Sequence, residues 1–150
     1  MRSMGHRRTL TSWLPALAWM GLIFVLSAQS GLRISDDASV DEPLRVVAHI
    51  AVYAILAGLL LSALTARLQR SAVAAVLAIG LAALYGVTDE IHQAFVAGRA
   101  GEVSDVVADT IGAALGVMLA WWILGRRTHP ASDLTASGPS SRVPGPRGRP

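Results

Sequence analysis

Four long apolar segments separated by short polar links leave this 150-residue chain few ways to fold. They cover roughly residues 10–28, 44–66, 71–92 and 104–124. Each is close to the ~20 residues with which a helix, rising ~1.5 Å per residue, crosses ~30 Å of hydrocarbon. Lipid offers a backbone no hydrogen-bond partner, so each segment must satisfy its own and all four are expected as helices. The expected fold class is all-α: a polytopic membrane protein with four transmembrane helices in one domain, residues 1–125. Composition points the same way, with 53% hydrophobic and 15% charged residues and a mean hydropathy of +0.49. Residues 126–150, "RRTHPASDLTASGPSSRVPGPRGRP", are rich in Pro, Gly, Ser and Arg and are expected to form a disordered tail.

The charges set an orientation and exclude several function classes. All 13 basic side chains are arginines, several of them in the tail, so the high isoelectric point does not describe a nucleic-acid-binding face. The absence of cysteine excludes disulfides, Fe–S clusters, thiolate zinc sites and a cysteine nucleophile. Arg2, Arg7 and Arg8 precede the first segment, Arg67 and Arg70 join the second to the third, and Arg126 and Arg127 follow the fourth. Arginine in short flanks marks the cytoplasmic side, so both termini are expected there. The other two links hold Arg33 beside Asp36, Asp37, Asp41 and Glu42, read as a solvated loop, and Arg99 within "FVAGRAGE"; both are expected outside. A competing reading makes the first segment a cleaved signal peptide, with "AQS" at 28–30 as the cleavage site. Its apolar stretch exceeds the ~7–15 residues of such a region, which favours a helix that stays.

Within this apolar frame, "VTDEIHQAFVAGR" at 87–99 places Asp89, Glu90, His92 and Gln93 side by side. A charge in the membrane costs roughly 2.5–3.5 kcal/mol on insertion scales, so intramembrane acids mark a functional site. With the orientation above, Arg45, His49 and Tyr53 share one face near the outer end of helix two, spaced i, i+4, i+8. Tyr85, Asp89 and Gln93 repeat that spacing on helix three, and Asp105 and Asp109 lie in the first turns of helix four. Gly112 and Gly116 in "GAALG" read as a packing seam that turns the two aspartates toward the bundle. Trp13, Trp121 and Trp122 read as an interfacial belt.

These residues resemble the VanZ-like family of small bacterial membrane proteins, named for a member linked to resistance to the glycopeptide teicoplanin. The likeness is carried by "IFVLSAQSG", "RVVAHIAVYAILAGLLL" and "YGVTDEIHQAFVAGRAGEVSDVVADTIGAALG", and covers most of residues 20–118. Carried over, the family's polar positions fall on His49, Tyr53, Asp89, Glu90, His92, Gln93, Arg99, Asp105, Asp109 and Gly112. Two positions depart from the pattern. Arg45 stands where lysine is usual and cannot deprotonate, and Asp109 stands where asparagine is frequent. The resemblance implies the bacterial cytoplasmic membrane, a cell-envelope role and, as partners, membrane lipids or lipid-linked cell-wall precursors.

Chemistry on a phosphorylated head group needs a cation for phosphate, a base or nucleophile, and an acid. The catalytic set expected is His49, Asp89, Glu90, His92, Gln93 and Asp109, with Asp89 or Glu90 orienting a histidine. Arg45, Tyr53, Arg99 and Asp105 are expected to bind substrate, Arg99 by bidentate phosphate recognition. No cofactor is required and no metal ligand is assigned, although the oxygen-rich set admits Mg²⁺ or Mn²⁺. A lipid head-group phosphoesterase or transferase is one reading, and a non-enzymatic binding protein that alters antibiotic access is the other. A proton-coupled flippase is disfavoured, because polar groups gather at one end only; a homodimer is admitted and nucleic acid is not. The orientation predicts that a cysteine at Ala97 reacts with an impermeant thiol reagent on intact cells and one at Ser137 does not. Labelling at Ser137 would invert the orientation.

Overall fold

The computed structural model describes residues 11–30, 35, 37–69 and 71–126. Arg2, Arg7, Arg8, Arg33, Asp36, Arg70 and Arg127, and the tail from 127 to 150, lie outside the described residues. Four helices make up the described fold: α1 (Leu14–Ser27), α2 (Ala38–Leu68), α3 (Ala72–Gln93) and α4 (Val103–Arg126). No strand occurs among the described residues.

Three of these helices, α2, α3 and α4, are long and apolar enough to cross a membrane. α1 is the exception. It has 14 residues where the sequence reading expected a span over 10–28, and rises about 21 Å, short of a hydrocarbon core of ~30 Å. Proline in its first turn suits a helix start, where the missing N–H has no intrahelical acceptor. α2 departs in the opposite sense, with 31 residues and a rise of about 46 Å. Asp37 caps it by accepting from the Ser39 N–H at 2.9 Å, so the helix begins at residue 38 rather than near 44. Asp41 and Glu42, expected in a loop, therefore lie in its opening turns. Ser71 caps α3 through the N–H of Ala74 at 3.3 Å.

Many large apolar side chains face outward, and on α3 the inward apolar stripe is made of small residues. Leu17, Val76, Leu84 and Met118 are exposed, while Ala74, Ala78, Ala82 and Gly86 line the buried stripe of α3 at i, i+4 spacing. With no hydrophobic drive between helices in lipid, close backbone approach supplies the attraction instead. The closest approach is between α2 and α4. A Cβ on Gly112 would strike the Ile50 backbone, and one on Gly116 the Ala54 backbone. The pairings Arg45 with Asp105, His49 with Asp109, Ile50 with Gly112 and Ala54 with Gly116 rise together, so α2 and α4 run parallel. Glu90 beside Glu102 and Gly86 beside Asp109 make α3 antiparallel to α4. α1 packs on α2 and α3 and is tied by three side-chain bonds: Trp19 Nε1 to the Val52 carbonyl at 3.0 Å, Tyr85 OH to the Met20 carbonyl at 2.7 Å and Ser27 Oγ to Asp89 Oδ2 at 2.8 Å. This up-and-down arrangement puts the end of α1, the start of α2, the end of α3 and the start of α4 at one end of the bundle.

The seam is testable. Gly116→Val is expected to lower unfolding free energy in mixed micelles by at least about 1–3 kcal/mol, because a backbone cannot step aside as a side chain can. Gly58→Ala, whose new methyl meets nothing within 4 Å, is expected to cost nothing.

Candidate functional site

Two ion pairs set one above the other join α2 to α4. Arg45 and His49 are one turn apart on α2, Asp105 and Asp109 one turn apart on α4, and parallel helices bring the two pairs into register. Arg45 Nη1 donates to Asp105 Oδ2 at 2.5 Å, and His49 Nδ1 lies 2.8 Å from Asp109 Oδ1. The second ring nitrogen of His49, Nε2, stands 3.6 Å from Asp105 Oδ2. Asp105 and Asp109 are both fully buried. Gly86 of α3 makes room for Asp109, since a Cβ there would lie 2.7 Å from its Oδ2.

α3 closes the third side. Asp89 Oδ2 accepts from Ser27 Oγ of α1 at 2.8 Å and from Gln93 Nε2 at 3.0 Å. Glu90 Oε1 accepts from the same Gln93 amide at 3.2 Å, and Glu90 Oε2 accepts the backbone N–H of Glu102 at 2.8 Å. That last bond fastens the α3–α4 loop, and Gly101 permits it. A Cβ there would lie 2.5 Å from the Glu90 carbonyl oxygen. Gly98 turns the same loop with φ +80°, in the left-handed region that glycine tolerates.

Between α1, α2 and α3 lies a cavity of about 240 Å³. Its polar lining comprises Ser27, Asp41, Arg45, His49, Tyr53, Asp89, Gln93 and Arg99, while Ile23, Leu26, Ala48 and Val52 supply an apolar wall. The Arg99 guanidinium makes no hydrogen bond or ion pair among the described residues; its backbone N–H donates to the Val96 carbonyl at 3.1 Å. Tyr53 lies parallel to the His49 ring at 6.5 Å between centroids, and its buried hydroxyl has no partner among the described residues. Asp89 Oδ1, Gln93 Oε1, Asp105 Oδ1 and Asp109 Oδ2 are likewise buried and unpartnered. Native interiors leave few such atoms, and a concentration of them in one place suits a binding site. His49, Glu90 and Asp105 each offer one ligand atom within 4.8 Å of the others, a spacing that can hold a metal ion.

Nine of the ten expected residues thus meet at the cavity or directly behind it. His92 does not join them. Its ring stacks on Phe24 of α1 at 4.2 Å, on the flank of α3 that meets α1. The expected orienting role also moves: Asp109 holds the His49 ring, and Asp89 and Glu90 bond elsewhere. Ser27, Asp41 and Glu102 were not singled out. Ser27 stands within "IFVLSAQSG", but one serine at the end of an apolar run reads as a boundary residue until its partner on another helix is known. Glu102 likewise stands within "FVAGRAGE" but reads as an ordinary loop acid. It closes on Arg45 Nη2 at 3.1 Å from a loop whose path the sequence leaves open.

Arg45 therefore divides its two amino groups between unlike partners, Glu102 with a side chain 45% exposed and Asp105 at 1%. The hydrogen bond from Arg45, reinforced by its charge, holds the Glu102 carboxyl below its ordinary range. A lowered carboxyl contributes stability above its unfolded-state pKa and loses it as pH falls through the depressed value. Exposure keeps that contribution small, so Glu102→Gln is expected to change unfolding free energy by less than about 1 kcal/mol. Asp105→Ala takes the buried partner from Arg45 and leaves it only the exposed Glu102, and is expected to cost more, about 1–3 kcal/mol. Unfolding in mixed micelles, followed by circular dichroism from neutral to acid pH, measures both.

Neither a curated protein nor a solved structure gives a match. The VanZ/LLP1 family model matches residues 12–124, which takes in all four helices but for the last residues of α4, together with every residue of the site. A match over most of the chain, including the polar residues that converge here, makes this protein a member of the VanZ/LLP1 family.

Proposed function

We propose that this protein works in the bacterial cytoplasmic membrane, with four membrane-embedded helices, both termini in the cytoplasm and the cavity at the outer leaflet. There it takes the anionic head group of a phospholipid or lipid-linked phosphate. The observation that carries this reading is the company kept in one cavity: an uncommitted Arg99, an unpartnered Tyr53 hydroxyl and the Asp109-held imidazole of His49, beside an apolar wall. A guanidinium and a hydroxyl suit phosphoryl oxygens, and an apolar wall suits the glycerol or isoprenoid portion next to them.

As an enzyme, the site uses His49 as base or nucleophile, since a carboxylate on Nδ1 selects the tautomer that leaves Nε2 free to accept a proton. Asp89, steadied by Ser27 and Gln93, and Glu90 supply the acid that protonates the leaving group. The reaction class is then phosphoester cleavage or head-group transfer. Binding without turnover is the second reading. It is favoured by the commitment of both Arg45 amino groups and of His49 Nδ1 to carboxylates, which leaves Arg99 to hold the ligand. Either activity would alter exposure of lipid-linked cell-wall precursors and so glycopeptide susceptibility.

The test incubates the purified protein in nanodiscs with phospholipids and isoprenoid phosphates and follows head groups by mass spectrometry. Turnover lost in His49→Ala at unchanged protein abundance supports the enzyme. Head-group binding without turnover, weakened about tenfold in Arg99→Ala and restored in part by Arg99→Lys, supports the binding protein. Neither turnover nor binding would overturn both.

A further inference from the structure

We infer that His49, Glu90 and Asp105 form a site for a divalent metal ion of the Mn²⁺ type at the back of the cavity. The inference concerns the same site as the proposed head-group function, but stands without it, because it is tested with the metal alone.

Asp89, Glu90, Asp105 and Asp109 are four buried carboxylates, and only Arg45 and His49 reach them as cationic partners among the described residues. Buried charge of one sign is costly unless compensated, and a surplus of carboxylate would repel the anion that Arg99 is placed to attract. A divalent cation removes both difficulties. It offsets the surplus and presents positive charge to phosphoryl oxygens.

His49 Nδ1 lies 2.8 Å from Asp109 Oδ1, so the ring, once it gives up its second proton, keeps the Nδ1–H toward Asp109 and carries a lone pair on Nε2. That lone pair faces Asp105 Oδ2 across 3.6 Å, too long for a hydrogen bond. A metal ion that displaces that second proton takes its place between Nε2 and Asp105 Oδ2, which Arg45 Nη1 also reaches. The other oxygen of Asp105 is fully buried and has no partner among the described residues, and Asp109 Oδ2 behind it is in the same state. Ligand atoms that sit ~2.0–2.3 Å from one ion are roughly 3–4.5 Å apart, and these three residues already meet within 4.8 Å. Small side-chain rotations complete the set.

The surroundings fit a metal centre equally well. A ligating histidine commonly donates its other N–H to a carboxylate, which fixes the ring and raises its basicity; Asp109 does this for His49. Gln93 and the Glu102 N–H orient Glu90, and Arg45 orients Asp105. One imidazole and two carboxylates form a mixed nitrogen and oxygen set, suited to Mn²⁺ and too few to close its coordination shell. Positions left open face substrate or water. With an ion on Nε2, His49 is a ligand rather than the base, and the ion meets the phosphoryl oxygens.

The experiment titrates Mn²⁺ into the full chain in nanodiscs of zwitterionic lipid and follows free ion by electron paramagnetic resonance, with pulsed measurements for nitrogen coupling. One saturable Mn²⁺ per chain with a histidine nitrogen coupling is expected. Glu90→Gln and Asp105→Asn should each weaken binding about tenfold or more, Asp109→Asn should weaken it to a similar or lesser degree, and Glu42→Gln should leave it unchanged. The nitrogen coupling is read on the unaltered protein, so the result stands even where a variant fails to fold. No saturable binding, binding without nitrogen coupling, or binding indifferent to Glu90→Gln and Asp105→Asn would each overturn the site. Head-group binding measured in parallel with a chelator present separates failure of the metal site from failure of the head-group reading.

Discussion

The doubled ion pair between α2 and α4 is the interaction on which the other features of this site depend. Arg45 with Asp105 and His49 with Asp109 sit at matched heights only because the two helices run parallel and nearly in contact. That proximity comes from Gly112 and Gly116, whose missing side chains let the backbone of α2 at Ile50 and Ala54 come against α4. In turn the paired charges hold the upper turns of the same helices, where glycine gives way to polar residues. Packing governs the lower half of the interface and electrostatics the upper half, and neither is well placed without the other.

α3 joins through the same logic of small residues. Its inward stripe of alanine ends at Gly86, which leaves space for Asp109, and then changes within a turn to Asp89, Glu90 and Gln93. Those groups meet acids already committed to Arg45 and His49, so carboxylate exceeds cation and several buried oxygens lack partners. A purely structural network would be expected to pair its members more fully, because an orphaned buried polar atom costs free energy with nothing in return. The unpaired atoms, the uncommitted Arg99 and the cavity are consistent features of a site that completes itself with a ligand.

α1 stands apart. It is shorter than a span and is tied to α2 and α3 by Trp19, Tyr85 and Ser27. Its contributions were also the hardest to foresee. Trp19 reaches a backbone carbonyl of α2 and Ser27 a carboxylate of α3, and neither partner is implied by local sequence. His92 shows the reverse. Its neighbours Glu90 and Gln93 turn inward, yet at 100° per residue His92 falls on the flank that meets Phe24, so adjacency in sequence misled where helical phase decided.

What the sequence determined by itself is the part governed by solvent and period. Apolar length required helices, arginine-poor and arginine-rich links suggested an orientation, and i, i+4 spacing put Arg45, His49 and Tyr53 on one face and Asp105 and Asp109 on another. The glycine seam was legible for the same reason, since a small residue every fourth position marks where a neighbour must come close. Only the tertiary structure decided which faces meet. The choice of Asp109 over Asp89 as the partner of His49, the closure of Glu102 on Arg45 and the exclusion of His92 all follow from the parallel register of α2 and α4 and the rotation of α3 about its axis. These are relations between segments some sixty residues apart. They arise from packing, which no local periodicity encodes.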